Sequence, residues 1–222
     1  MRSTVSATGA DPRPIAKART GATRALSGRR VTAALVTLFT ILTASLPAGA
    51  QQPVPAARLA LCGTCHGDDG QSRLAGVPSL AGQPRLFIEN RLVMIREGLS
   101  EIAPMKGMLD GLSDAELTDL SHHFAAKPAP PPATTRDATR AARGARLAER
   151  ALCGSCHLPD HRGREQIPRL AGQREDYLLA SMRQFLGGMV KGRDTAMINA
   201  LQGLGDADLV DLAHYLATLG PP

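Results

Sequence analysis

The sequence predicts an all-α protein made of two similar tandem domains. Blocks of residues recur at offsets of about 90 positions, which marks an internal duplication. Residues 78–83 (PSLAGQ) recur at 168–173 (PRLAGQ), and residues 112–117 (LSDAEL) recur at 204–209 (LGDADL). Both copies place apolar residues at helical spacing, and neither contains the alternation expected of a strand.

The duplication divides the chain beyond residue 50 into three parts. They are an N-terminal domain (51–127), a proline-rich linker (128–133) and a C-terminal domain (134–222). The linker has the sequence PAPPPA, and proline-rich segments of this kind are stiff and extended. The two domains are therefore expected to stay close together.

Three helices are predicted in each domain. The first carries a cysteine motif, the second follows the LAGQ block, and the third begins at a capping box formed by Ser113 and Glu116. Pro84 suits the first turn of the second helix, because the missing N–H is not needed there. The apolar stripe of the third helix, which is expected to face the core, consists of Leu117, Leu120 and Phe124 in the first copy and Leu209, Leu212 and Leu216 in the second.

A six-residue motif that ends in histidine occurs twice, as residues 61–66 (LCGTCH) and residues 152–157 (LCGSCH). C-x-x-C-H is the attachment signature of c-type haem. Positions i, i+3 and i+4 share one face of a helix, so Cys62 and Cys65 can each bond a haem vinyl group while His66 supplies the proximal iron ligand. The same roles are expected of Cys153, Cys156 and His157. The sequence therefore predicts two covalently bound haems c.

The four cysteines have two other interpretations. A structural zinc site usually brings its second cysteine pair within about 15–20 residues, whereas 91 positions separate the two pairs here. A redox dithiol of the thioredoxin type needs βαβ surroundings, and the sequence contains no such pattern. The haem interpretation is favoured because it uses all four cysteines.

A repeated methionine offers a second axial ligand, which is common for iron in electron-carrying haem proteins. Met105 lies seven positions before Leu112, and Met197 lies seven positions before Leu204. Both methionines are expected in irregular segments between the second and third helices, where a loop can bring the thioether opposite the proximal histidine. Met108 remains the alternative in the first domain.

Histidines outside the two motifs offer a different second ligand. His122 and His214 are repeat partners on the third helix, so ligation by two histidines is an alternative. Their place beside the apolar stripe predicts solvated positions away from the haem. His123 and His161 have no repeat partner and are expected at the surface.

Residues 1–50 have the layout of a secretory signal peptide. Basic residues dominate up to Arg30, an apolar run spans residues 31–46, and small residues precede a cleavage point before Gln51. The apolar run is short for a membrane-spanning helix, although an uncleaved anchor remains an alternative. Export fits covalent haem, which is attached outside the cytoplasm.

The basic charge of the chain belongs to this leader. The full chain is formally +6, and residues 1–50 carry seven basic residues and one acidic residue. The remaining 172 residues hold 19 basic and 19 acidic residues and are formally neutral. The charge gives no reason to expect a nucleic-acid partner.

Two prolines complete a family pattern. Pro78 and Pro168 follow the motif histidines by 12 and 11 residues. They resemble the proline of class I c-type cytochromes, whose carbonyl accepts the proximal imidazole N–H and fixes the ring. Together with the repeated motifs they make the chain resemble the cytochrome c4 family of dihaem cytochromes. The resemblance implies two tandem class I cytochrome c domains, each wrapped around one covalent haem. One departure is that Leu158-Pro159 follow the second motif in place of the usual glycine.

The resemblance also implies a function. It implies a periplasmic electron carrier, sometimes membrane-associated, that serves a respiratory chain toward a terminal oxidase and is not an enzyme. Its partners would be redox proteins such as a terminal oxidase, a cytochrome complex or a dehydrogenase subunit. The alternative is the haem-bearing subunit of a dehydrogenase complex, such as a sulfide-oxidising flavocytochrome. A dihaem enzyme ranks last, because it needs an open or unusual axial site and Met105 and Met197 are both available.

Overall fold

The computed structural model describes residues 54–188 and 194–220, and this part of the chain is helical. No strand occurs within these ranges, and the only β contact in them is an isolated bridge between Arg164 and Ile167. The helices are α1 (Ala56–His66), α2 (Arg85–Arg96), α3 (Asp114–Ala125), α4 (Ala138–Arg150), α5 (Cys153–His157), α6 (Glu175–Leu186), α7 (Thr195–Leu201) and α8 (Asp206–Ala217). The all-α prediction is confirmed.

The last helix of each copy forms as the sequence predicts. Ser113 caps α3, because its hydroxyl accepts from the Glu116 N–H while the Glu116 carboxylate accepts from the Ser113 N–H. In α8 the carboxylate of Asp208 accepts from the N–H of Gly205 in the same way. The predicted stripe is buried throughout: Leu117, Leu120, Phe124, Leu209, Leu212 and Leu216 are each at most 3% exposed. Each of these two helices thus contributes its buried stripe to the apolar core of its own copy.

Each copy has its own apolar core. We call residues 54–127 the N-terminal half and residues 134–220 the C-terminal half. The core of the N-terminal half contains Ile88 from α2 with the α3 stripe, and that of the C-terminal half contains Leu178 and Met182 from α6 with the α8 stripe. The second and last helices of each copy are thus held together by burial of aliphatic side chains, at about 1.5–3 kcal/mol for each side chain fully buried.

The first helix differs between the halves. In the N-terminal half α1 is one helix that includes the whole cysteine motif. In the C-terminal half a longer α4 is separated from the motif helix α5 by a break at Leu152, whose φ is 55°. The helix α4 approaches α8 closely, since a Cβ on Gly144 would lie 2.2 Å from the carbonyl oxygen of Asp211. Only glycine permits this crossing.

The proline-rich segment packs against both LAGQ blocks. Gly82 and Gly172 have left-handed φ angles of 65° and 71°. A Cβ on Gly82 would lie 2.8 Å from Cα of Ala129, and one on Gly172 would lie 2.8 Å from the carbonyl oxygen of Pro130. Residues 128–132 therefore run between the halves in close backbone contact rather than through open solvent.

The predicted signal peptide (1–50) lies outside the described residues. Within residues 54–188 and 194–220, no helix is both long enough and apolar enough to cross a membrane.

Replacing Gly82 by alanine is expected to destabilise the haem-loaded protein. The left-handed backbone alone costs an alanine roughly 1–2 kcal/mol, and contact with Ala129 adds to that cost. Gly98 is the matched control, because its φ is 67° and a Cβ there would meet nothing within 4 Å. In denaturant titrations, Gly82→Ala should lower the free energy of unfolding more than Gly98→Ala does. Equal losses would show that the linker does not pack on Gly82.

Candidate functional site

The cysteine motifs lie on helical turns, as the i, i+3, i+4 spacing predicts. All four cysteines of the chain fall in the described part, and none forms a disulfide. Cys62 and Cys153 are half-buried against the cores, while Cys65 and Cys156 are exposed. Each pair therefore offers two free thiols on one face of a helix, which is what attachment to two vinyl groups needs.

The motif histidines are each held by one hydrogen bond from a ring nitrogen. Nδ1 of His66 lies 2.9 Å from the carbonyl oxygen of Pro78, and Nδ1 of His157 lies 2.8 Å from that of Pro168. A carbonyl oxygen only accepts, so Nδ1 carries the proton and Nε2 keeps its lone pair. This tautomer points an unprotonated nitrogen away from the proline, ready to bind a metal.

Burial favours the neutral form of both imidazoles. His157 is only 4% exposed and His66 is half-buried. Burial lowers the pKa of both rings, and the hydrogen bond to the proline carbonyl offsets part of that effect. A neutral imidazole is the form that ligates iron, so the environment selects the state that a haem needs.

The prolines are placed by a turn that both halves share. In the N-terminal half the carbonyl of Gly70 accepts from the N–H groups of Leu80 and Ala81, at 2.8 and 3.0 Å. In the C-terminal half the carbonyl of His161 makes the same two contacts with Leu170 and Ala171, at 2.8 and 3.1 Å. The LAGQ block is thereby tied to the residues that follow the cysteine motif.

His161 is not at the surface, and that prediction was wrong. It is 5% exposed, has a φ of 53° and occupies the turn position that Gly70 holds in the other half. Its ring meets the ring of Tyr215 edge-on at 5.8 Å between centroids. The sequence did not indicate that His161 corresponds to Gly70, because a histidine and a glycine have nothing in common except their position in the turn.

The two candidate methionines lie between the second and last helices, on regular structure. Met105 ends a short 3₁₀ turn, Ala103–Met105, and Met197 lies inside the helix α7, so the expectation of irregular segments was wrong for Met197. Met105 packs against the same core as Cys62, and Met197 against the same core as Cys153. In each half, the candidate methionine and the first cysteine of the motif thus pack against the same apolar core.

His214 is buried, which contradicts the prediction of a solvated position. It is 2% exposed, its Nδ1 lies 3.0 Å from a carboxylate oxygen of Glu175, and its Nε2 accepts from the N–H of Asp137 at 2.9 Å. Both ring nitrogens are engaged, so neither can bind iron without losing a buried hydrogen bond. His122, its repeat partner, is exposed as expected. The arrangement argues against ligation by His214.

The two histidine turns are joined across the halves by a pair of glutamines that the sequence analysis had not assigned a role. Nε2 of Gln83 donates to the carbonyl of Arg169, and Oε1 of Gln83 accepts from the Arg169 N–H, both at 2.9 Å. Gln173 makes the same two bonds with the backbone of Ser79, both at 2.9 Å. The repetition of LAGQ was the signal that could have found them.

The residues present fit two haems c. The free thiols, the neutral imidazoles and the nearby thioethers are the donor set that covalent haem uses. The Nη1 group of Arg169 is buried and has no partner within the described residues, although its Nε donates to the carbonyl of Gly82. A haem propionate is a carboxylate that could satisfy such a group.

Comparison with known proteins identifies the family. The cytochrome c family model matches residues 141–220. Cytochrome c4 of Azotobacter vinelandii is 31% identical over 206 residues, which is 84% of this chain and 98% of that protein. The chain belongs to the cytochrome c4 family. Reduced cytochrome c4 from Pseudomonas stutzeri has a similar fold, with a TM-score of 0.67 and 29% identity over 73% of this chain and 95% of that one.

Membership confirms the predicted cofactor and fold: this cytochrome c4 homologue carries covalent haem c, and its two C-x-x-C-H motifs fit two attachment sites. A further relative is the "Thiosulfate dehydrogenase electron acceptor" of Thiomonas intermedia, which is 32% identical over 200 residues, or 85% of this chain and 90% of that protein. The likeness thus extends to a protein named for accepting electrons from an enzyme.

The protein made with the c-type maturation machinery should contain two haems per chain. After denaturation in pyridine, the haem c absorbance should correspond to two groups. Changing Cys62 and Cys65 together to alanine should leave one haem, and changing Cys153 and Cys156 together should leave the other. A chain that retains both haems in either double variant, or releases them into acid acetone, would contradict the assignment.

Proposed function

We propose that this cytochrome c4 homologue is a periplasmic dihaem carrier that passes electrons between redox proteins of a respiratory chain, toward a terminal oxidase. The observation that carries the proposal is the pair of equivalent histidine turns joined through buried hydrogen bonds in one compact unit. Bound haem supplies an iron that alternates between ferric and ferrous states.

The ligand set follows the repeat. In the N-terminal domain (51–127), Cys62 and Cys65 would attach the haem, and His66 and Met105 would bind its iron. In the C-terminal domain (134–222), the corresponding residues are Cys153, Cys156, His157 and Met197. Pro78 and Pro168 orient the two imidazoles through the hydrogen bonds to Nδ1.

The residues of the chain prepare the sites for electron transfer rather than for substrate chemistry. With His66 and Met105, and His157 and Met197, as the residues that would hold the two irons, no coordination position would be left for peroxide or another substrate. The hydrogen bond from each imidazole to its proline carbonyl would hold the ring in place, which would limit rearrangement when an electron arrives or leaves. The linker (128–133) keeps the two domains close, so an electron that enters one can leave through the other.

The proposed location is the periplasm, reached with the signal peptide at residues 1–50. Its partners are redox proteins. The near-neutral charge of residues 51–222 offers little long-range attraction, so docking would rely on local patches.

A second function is favoured by one of the relatives. The likeness to the thiosulfate dehydrogenase electron acceptor of Thiomonas intermedia supports a role as the acceptor for a dehydrogenase. The fold is also similar to thiosulfate dehydrogenase TsdBA from Marichromatium purpuratum, with a TM-score of 0.62 over 71% of this chain and 36% of that one. These likenesses favour thiosulfate dehydrogenase over a sulfide-oxidising flavocytochrome as the enzyme served.

Both irons should be low-spin with histidine and methionine ligands. The weak charge-transfer band at the red end of the oxidised spectrum reports the bond from methionine sulfur to iron. Met105→His or Met197→His should remove about half of that band and lower the potential of one haem, since methionine ligation raises it. Met108→Leu is the control and should leave the band intact. If Met108→Leu removes the intensity and Met105→His does not, the ligand in the N-terminal domain is Met108.

The carrier role is tested by kinetics on the isolated, haem-loaded protein. Stopped-flow mixing should show rapid reduction by a small donor and reoxidation by a terminal oxidase. Peroxide, thiosulfate and sulfide should each give no turnover with the chain alone. If the second function holds, adding a thiosulfate dehydrogenase together with thiosulfate should reduce the haems of this protein. Rapid turnover of any of these substrates without a partner protein would overturn the carrier assignment.

A further inference from the structure

We propose that each half lowers the reduction potential of the haem in the other half, through the side chain of one glutamine. Gln173 acts on the haem of the N-terminal half, and Gln83 acts on that of the C-terminal half. The inference rests on the proposed function, because it requires haem iron bound at His66 and His157.

The contacts converge on one peptide unit in each half. The carbonyl of Pro78 accepts from Nδ1 of His66 at 2.9 Å, while the N–H of the same peptide, which belongs to Ser79, donates to Oε1 of Gln173 at 2.9 Å. A single planar amide therefore lies between the proximal imidazole of one half and a side chain of the other. It is the only covalent group that separates them.

The second half repeats this arrangement. The carbonyl of Pro168 accepts from Nδ1 of His157 at 2.8 Å, and the N–H of the same peptide, which belongs to Arg169, donates to Oε1 of Gln83 at 2.9 Å. The two chains of hydrogen bonds run in opposite directions across the junction. Each glutamine is fixed by a second bond, from its Nε2 to the next carbonyl.

The amide transmits a change because hydrogen bonds at its two ends strengthen one another. An acceptor on the N–H moves electron density toward the carbonyl oxygen, which then holds the imidazole proton more tightly. A more tightly held proton makes the ring a stronger donor to iron, in the way that outer hydrogen bonds raise ligand basicity. A stronger donor favours ferric iron, so the glutamine lowers the potential of the haem across the junction.

Burial makes the effect specific to the glutamines. Ser79, Gln83, Arg169 and Gln173 are 4%, 5%, 9% and 3% exposed. Solvent has little access to the junction, so the amide oxygen is the acceptor that the peptide N–H has there. The low dielectric also strengthens each bond relative to its value in water.

The test measures the two haem potentials separately in the haem-loaded protein. Gln173→Met and Gln83→Met each remove the two bonds that one glutamine makes across the junction while keeping a side chain of similar length. Gln173→Met also removes the bond that Oε1 accepts from the Arg174 N–H within the same half. Each variant is the control for the other, because each deletes two equivalent bonds across the same junction. Haem methyl resonances in NMR spectra, followed through a redox titration, give a potential for each haem.

Gln173→Met should raise the potential of the haem attached at Cys62 and Cys65 by about 18 mV, equivalent to a roughly twofold change in the ferric–ferrous equilibrium constant. The other haem should be unchanged. Gln83→Met should give the mirror result. A shift of the haem in the same half as the mutation, equal shifts of both haems, or no shift would overturn the proposal.

A spectroscopic signature separates this effect from loosening of the junction. In the reduced protein, the Nδ1–H resonance of His66 should move upfield in Gln173→Met and stay in place in Gln83→Met. If the variants do not fold, the wild-type protein still tests the contact. A scalar coupling through the hydrogen bond, from the Ser79 nitrogen to the Gln173 side-chain carbonyl, should be present, and its absence overturns the proposal.

The failure of this inference is distinguishable from failure of the proposed function. A protein without haem, or with haem not bound by His66 and His157, would refute the function itself. Two histidine-bound haems with potentials unmoved by either glutamine would refute only the control across the junction.

Discussion

The hydrogen bond from each motif histidine to a proline carbonyl is the contact on which both sites depend. It fixes the tautomer, leaves Nε2 unprotonated and holds a ring whose pKa burial lowers. The LAGQ residues that follow the proline are anchored by bonds to the carbonyl of Gly70 in one half and of His161 in the other, which positions the proline carbonyl. The orientation of the imidazole therefore depends on the turn that places the proline, and backbone hydrogen bonds hold that turn.

Apolar burial supplies the frame around this polar arrangement. The helices α3 and α8 present their stripes to α2 and α6, and the same cores touch a cysteine and a methionine in each half. The halves diverge where the first helix crosses. In the C-terminal half Gly144 lets α4 press against α8, whereas α1 begins only at Ala56 and carries the motif in one piece. The duplicated parts that hold the histidine are thus kept alike while the outer helix varies.

Much of this could be read from the sequence, because its causes are local. The capping box at Ser113, the stripes of α3 and α8 and the helical turns of the cysteine motifs depend on residues a few positions apart. His214 could not be read, because the groups that bury and bond it come from Asp137 and Glu175, far away in the chain. The helix that contains Met197 was not predicted, because a segment of seven residues gives little periodic signal. The glutamines were missed because their partners are backbone atoms, which residue types do not mark.

The reciprocal bonds of Gln83 and Gln173 have the pattern of an isologous contact, in which the same patch occurs on both sides. The glutamine of each LAGQ block bonds the backbone of the other half, while the leucine and alanine of the block hold the histidine turn of their own half. A substitution of either glutamine would therefore alter a contact of the other copy, whereas Ser79 and Arg169 can differ because the bonds reach only their backbone. Positions that serve only their own half are under no such constraint, as the pairing of Gly70 with His161 shows. Within this one sequence, the glutamines that bond across the junction are the same in both copies, whereas Gly70 and His161, which act within their own half, differ.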